Sequence, residues 1–146
     1  MQFKIIVAMC SNNGIGIDNK LPWAIKEDLK YFSKKTKHNG NNAIVMGKNT
    51  WLSIGEKALP KRDNLILSKS LYSQCSKNNA CKVYHLGKAQ KVFCSIDNMK
   101  NWCREKKYEE IWIIGGESIY KEFINDSDTK ELWITKINKE FDCDTF

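Results

Sequence analysis

Ile111-Trp112-Ile113-Ile114-Gly115-Gly116-Glu117-Ser118-Ile119-Tyr120 is the stretch on which the fold turns. Four apolar residues with no polar alternation read as a strand covered on both faces. Gly115-Gly116 ends it, and the next residues place Ile119, Tyr120, Phe123 and Ile124 on one side of a helix over 117–124. The same pattern recurs outward in both directions. Ala43-Ile44-Val45-Met46 is a buried run ended by Gly47, followed by a short helix over 49–54 with Asn49 placed as its N-cap. Residues 3–10 and Asn64-Leu65-Ile66-Leu67-Ser68 are further buried strands, 82–86 and 91–94 are shorter ones, and 132–137 is the last. A helix over 24–35 carries Ile25, Leu29 and Phe32 at i, i+4, i+7. Another, behind the N-cap Ser95, carries Ile96, Met99, Trp102 and Cys103. Residues 37–42 and 73–80 are loops by composition. Strands separated by helices predict an α/β fold with a largely parallel, twisted sheet flanked by helices.

The chain has 146 residues, 42% hydrophobic and 28% charged, which suits one domain and excludes a disordered tail or a collagen-like repeat. The longest apolar run, from Ile5 to Cys10, is too short to span a membrane, and Met1-Gln2-Phe3-Lys4 shows no signal peptide. Lys and Arg number 24 against 17 Asp and Glu, a net charge of +7. That surplus favours anionic partners; the lysines are spread along the chain, which is weak support for a nucleic-acid footprint. Cysteines stand at 10, 75, 81, 94, 103 and 143 with no CxxC pair, and the histidines are His38 and His85. We expect no metal site and reduced thiols in a cytosolic compartment.

Four features could carry chemistry. Asp28 is i+3 from Ile25 and i−4 from Phe32, so it lies on the inward face of its helix, where lost hydration raises a carboxyl pKa. Such an acid can donate a proton or hold an amidine-like donor pair. Gly115-Gly116 opens a helix N-terminus to close approach and to anions. Gly47-Lys48-Asn49-Thr50 and Ser68-Lys69-Ser70 each put an ammonium and polar groups after a strand, where open α/β sheets bind ligands. Residues 12–23 form a long connection with Ile15, Ile17, Leu21 and Trp23, a length typical of lids. Each has a plainer use: a carboxylate reaching water, tight strand–helix packing, or a solvated loop.

Taken together, these residues resemble dihydrofolate reductase. The likeness runs through Ile15-Gly16, Leu21-Pro22-Trp23, Asp28-Leu29-Lys30-Tyr31-Phe32 and Val45-Met46-Gly47-Lys48-Asn49-Thr50-Trp51 with Ser53-Ile54. It continues through Leu59-Pro60-Lys61-Arg62, Asn64-Leu65-Ile66-Leu67-Ser68, Ile114-Gly115-Gly116, Tyr120, Thr135 and Asp142-Cys143-Asp144-Thr145-Phe146. These stand in family order over nearly the whole chain.

The resemblance implies NADPH-dependent reduction of 7,8-dihydrofolate to 5,6,7,8-tetrahydrofolate, serving one-carbon and thymidylate metabolism in the cytoplasm. It implies binding of antifolate inhibitors and no nucleic-acid or membrane partner. Asp28 matches the family's pterin-pocket acid, Thr135 the threonine bonded to it, and Trp23 the tryptophan beside it. Ile6, Val7, Ala8, Leu29, Phe32 and Ile54 match the walls around the substrate, and Arg62 the arginine that clamps the glutamate α-carboxylate. Ala8, Ile15, Gly16, Leu21, Gly47, Lys48, Asn49, Thr50, Leu67, Ser68 and Lys69 match cofactor positions. So do Ile114, Gly116, Glu117, Ser118, Ile119 and Tyr120. Lys48, Ser68 and Lys69 would meet the 2′-phosphate.

Two departures from the family pattern stand out. Position 118 is Ser where bacterial relatives often carry Arg. The family normally continues past the position of Phe146 with a β-hairpin. On that comparison residues 1–146 are expected to be one reductase domain, incomplete at its C-terminus, with 132–137 as a bare edge strand. A longer polypeptide would add the hairpin or a fused thymidylate synthase. Rival readings are an inactive or weakly active fragment, a riboflavin-pathway reductase of the same fold, and a basic RNA-binding module using aromatics beside lysines at 30–32 and 106–108.

Overall fold

Apolar runs too continuous for a one-faced strand belong in the middle of a covered sheet, and the computed structural model puts them there. It describes residues 2–10, 34–36, 41–56, 58–69, 83–87 and 90–137, without the side chains of 8–10, 83–87 and 135–137. The strands are β1 (Phe3–Cys10), β2 (Asn42–Gly47), β3 (Asp63–Leu67), β4 (Val83–Gly87), β5 (Gln90–Phe93), β6 (Glu110–Gly115) and β7 (Thr129–Ile137). They form one seven-stranded sheet in the order β4-β5-β3-β2-β6-β1-β7. Every neighbouring pair is parallel except β4 and β5. Helix α1 spans Lys48–Ser53, α2 Ile96–Lys106 and α3 Glu117–Ile124; residues 34–36 are also helical.

The central strand β2 is buried at every position. Its alternate residues feed two cores, one on each face. Ala43 and Val45 join Phe3, Leu65, Ile113 and Phe123 under α2 and α3. Ile44 and Met46 join Ile6, Trp51, Ile66 and Trp112 on the other face, beneath α1. Each such large side chain, fully buried, contributes about 1.5–3 kcal/mol, so the apolar packing on both faces stabilises the sheet. Phe3 meets Phe123 edge-on at 5.1 Å, and Trp112 meets Trp133 at 6.1 Å.

Ser95 caps α2 as the sequence predicts, its Oγ accepting from the Asn98 N–H at 3.2 Å. Met99 and Cys103 are buried on the inward stripe. Three local expectations are corrected. Asn49 is not an N-cap: α1 begins one residue earlier, its N-cap is Gly47, and no side chain caps it. Ile124 is not on the inward side of α3; it is 54% exposed. It lies about 140° round the helix from Ile119, five residues on at 3.6 per turn. Asn42, expected in a loop, is the first residue of β2 and is buried. The last strand starts at Thr129, earlier than its apolar run, because pairing with β1 begins at Phe3–Thr129. Among the described residues it lies at the edge of the sheet, and its Leu132 and Ile134 are exposed.

Candidate functional site

The strand order separates β1 from β2 by β6, so the chain's direction of travel across the sheet reverses among these three strands. In open α/β sheets the crevice at the carboxyl ends of such strands is the ligand site. The register aligns Met46 of β2 with Gly115 of β6, and Gly47 with Leu67 of β3. Val7 and Ala8 continue β1 beyond its last pairing with β6, at Ile5–Ile113. The residues at 47–50, 67–69 and 114–120 therefore converge on one edge of the sheet, as their spacing suggested.

Glycine is required at that edge for contact reasons. A Cβ on Gly47 would lie 2.9 Å from Ile119 Cγ1, and one on Gly115, whose φ is +117°, would lie 3.1 Å from the Tyr120 ring. The peptide bond between Gly115 and Gly116 is cis. Tyr120 Oη lies 2.9 Å from both the Ile6 and the Ile114 carbonyl oxygens, tying α3 to the ends of β1 and β6. Burial pushes its phenol pKa up, so it stays a neutral donor. Ile119 thus serves as packing against Gly47, and Tyr120 as a strut. Both keep the Gly116 edge close to Thr50, whose Oγ1 would be 3.6 Å from a Cβ on Gly116.

Helices α1 and α3 both start at this edge, and the N-cap of neither makes a side-chain hydrogen bond. The positive dipole ends of α1 and α3 therefore lie at this edge, with Lys48 and the exposed Lys69 on the same side. This chemistry favours an anionic group at the edge. Glu117, exposed, pairs with Lys121 at 2.9 Å within α3, which partly offsets its negative charge at the helix start. Ser118 is exposed.

Arg62 does not join that edge. It precedes β3 at the amino end, six residues from Ser68, or about 20 Å along an extended strand. It is 5% exposed. Its Nε donates to the Pro60 carbonyl at 3.0 Å and its Nη1 to Thr36 Oγ1 at 2.7 Å. No carboxylate pairs with it among the described residues, and burial lowers its pKa without displacing its charge. A buried cation whose remaining fork donors meet no partner among the described residues carries a desolvation cost that an anion would offset. Asn64, fully buried, holds the approach: its Oδ1 accepts from the Leu59 N–H at 3.0 Å and its Nδ2 donates to the Leu59 and Arg62 carbonyls at 3.1 and 3.0 Å.

Ile6, buried, and Ile54, half-buried at the end of α1, both belong to the Trp51–Trp112 face of the sheet. Thr135 pairs with Ala8 across β7 and β1. Ile15, Gly16, Leu21, Trp23, Asp28, Leu29 and Phe32 lie outside the described residues. Thr36 and Asn42 fall outside the motifs that carry the family likeness, and Asn64 stands in one without a site role. For Thr36 a signal existed, since it stands eleven residues after Ile25 and so continues the Ile25, Leu29, Phe32 face.

Comparison with known proteins agrees with this geometry. The family profile described as dihydrofolate reductase matches residues 2–146. A dihydrofolate reductase of Drosophila melanogaster is 38% identical over 152 aligned residues, covering 100% of this chain and 79% of that protein. One from Gallus gallus is 35% identical, covering 97% of this chain and 75% of its own length, and one from Haemophilus influenzae is 36% identical, covering 100% and 78%.

Proposed function

The chain belongs to the dihydrofolate reductase family, and from that premise we propose that it reduces 7,8-dihydrofolate to 5,6,7,8-tetrahydrofolate with NADPH as reductant. The observation that carries the reading is the pairing of two anion sites of different character. One is a glycine-lined crevice with two uncapped helix starts; the other is a buried guanidinium some 20 Å away along β3, an estimate from strand rise. An elongated substrate with a planar head and a terminal carboxylate fits the second. A phosphate-bearing dinucleotide fits the first.

NADPH, when bound, would supply the hydride for reduction of the pterin ring. The chain's own residues do the remainder. Asp28 holds the 2-amino and N3 groups of the ring and promotes delivery of a proton to N5, with Thr135 and Trp23 ordering the acid and its water. Ile6, Val7, Ala8, Leu29, Phe32 and Ile54 wall the ring and exclude bulk solvent, which strengthens each polar contact inside. Arg62 takes the α-carboxylate as a planar fork. Gly47, Lys48, Asn49, Thr50, Leu67, Ser68 and Lys69, with Gly116, Glu117, Ser118, Ile119 and Tyr120, hold the dinucleotide, and Ile15, Gly16 and Leu21 cover it. Antifolates would compete for the Asp28 pocket. Among the described residues Cys94 and Cys103 are free thiols, which suits the cytoplasm in which we place the reaction.

The test is loss of NADPH absorbance by the purified chain. Consumption that requires dihydrofolate, yields tetrahydrofolate and is slower with NADH supports the reading. No dihydrofolate-dependent consumption overturns it.

A further inference from the structure

An arginine side chain has five N–H donors, and a clamp works only if the fork is held still before the ligand arrives. In Arg62 two donors are spoken for: Nε by the Pro60 carbonyl and Nη1 by Thr36 Oγ1. Among the described residues Nη2 has no hydrogen-bond partner. The holders are themselves fastened to core strands. Asn42, at the start of β2, donates from Nδ2 to the Thr36 carbonyl at 3.0 Å, and the same Nδ2 lies 3.4 Å from Glu110 Oε1 on β6. Asn64 fixes the Arg62 backbone to β3. Thr36 is fully buried and Arg62 nearly so.

We infer that Thr36 is a positioning residue for the Arg62 clamp: its hydroxyl, with the Pro60 carbonyl, locks the guanidinium plane so that the Nη2 side of the fork is presented to a carboxylate on the substrate. The short Thr36 contact is charge-assisted, the strong kind of hydrogen bond. It also sets specificity, because a cation this deeply buried rewards only a ligand that brings an anion to it. A flexible surface arginine would give the same charge with less discrimination. Thr36 acts through Arg62 and touches no reacting atom, so its contribution is to substrate affinity and to selection of ligands with a terminal carboxylate. The inference rests on the function proposed above only in naming that ligand as the substrate.

The test compares wild type, Thr36→Val and Thr36→Ser in binding and in turnover. The ligands are folate and a pteridine lacking the aminobenzoyl-glutamate tail. Thr36→Val keeps the side-chain shape and removes the hydroxyl; it should weaken folate binding about ten-fold, or about 1.4 kcal/mol. The tail-less pteridine should bind unchanged, kcat for dihydrofolate should hold while KM rises, and Thr36→Ser should restore folate affinity. Equal weakening for both ligands, no weakening for folate, or failure of Thr36→Ser to rescue overturns the assignment. If the wild type fails to reduce dihydrofolate but the binding contrast is seen, the reaction is misassigned and the clamp stands. If the wild type binds folate no more tightly than the tail-less pteridine, the clamp itself is refuted.

Discussion

Replacing Arg62 with Leu separates binding from folding, because the proposed clamp role and the burial of the guanidinium give it opposite effects on the two. In the complex it would face a carboxylate in a nearly dry site, and truncating one partner of such a buried pair costs about 2–4 kcal/mol once some water replaces it. That is a rise in KM for dihydrofolate of about 30- to 1,000-fold. In the free protein the balance differs. Arg62→Leu loses the bonds to the Pro60 carbonyl and Thr36 Oγ1, which destabilises. It also removes a cation that is 5% exposed and lacks a carboxylate among the described residues, which stabilises. These offset to within about 1 kcal/mol, so the melting temperature should move by no more than about 4 °C. Steady-state kinetics with dihydrofolate and with the tail-less dihydropterin, beside thermal melts, give all the needed numbers. We expect a large KM effect confined to the carboxylate-bearing substrate. A collapse of kcat with KM unchanged, or an equal loss on both substrates, refutes the reasoning.

Three further outcomes follow from the same geometry. Lys48→Ala should raise the KM for NADPH about ten-fold or more while leaving that for dihydrofolate near wild type, since an ammonium beside a phosphate is a charge-assisted contact; steady-state kinetics with each ligand varied in turn would show a reversed pattern if the site map is wrong. Gly47→Ala puts a methyl 2.9 Å from Ile119 Cγ1, so the Ile119 side chain or its helix must give way; a destabilisation of about 1–3 kcal/mol in urea titrations and weaker NADPH binding are expected, and an unchanged midpoint would contradict the tight contact. Burial pushes the Cys103 thiol from 9.0 to about 12, so this group binds a proton in the folded state that the unfolded chain releases. Its contribution to stability is present below about pH 9 and lost as pH rises towards 12. Alkylation at pH 8 should be far slower in native than in urea-unfolded protein, and equal rates would contradict the burial.

The sheet was legible because its central strands carry unbroken apolar runs: 43–46, 65–67 and 111–114 hold no polar residue, and each lies within a strand of the covered sheet. The helix stripe of Met99 and Cys103 was legible for the same reason, with Ser95 marking its start. Element ends were less so. Asn49 has the chemistry of a cap, but the backbone turns into α1 directly after Gly47, where no Cβ obstructs the approach of Ile119. That contact joins residues 72 apart in the chain, and no local pattern records it. Within the site, the glycine edge could be read because glycines and lysines after strands form a local motif. The Arg62 holder could not be read that way, since Thr36 and Arg62 meet only when the sheet brings the two segments together. The turn-on-turn face of Ile25, Leu29 and Phe32 does extend to Thr36, yet a threonine there reads as the fading end of a stripe.

In the proposed reaction Asp28 is the acid that promotes proton delivery to the pterin. The most direct test of that role is single-turnover oxidation of bound NADPH by wild type and Asp28→Asn across a range of pH. The account predicts a rate that falls as pH rises past the acid's pKa in the wild type, and a loss of about 100-fold or more near neutrality in Asp28→Asn. Equal rates for the two proteins at neutral pH would contradict it.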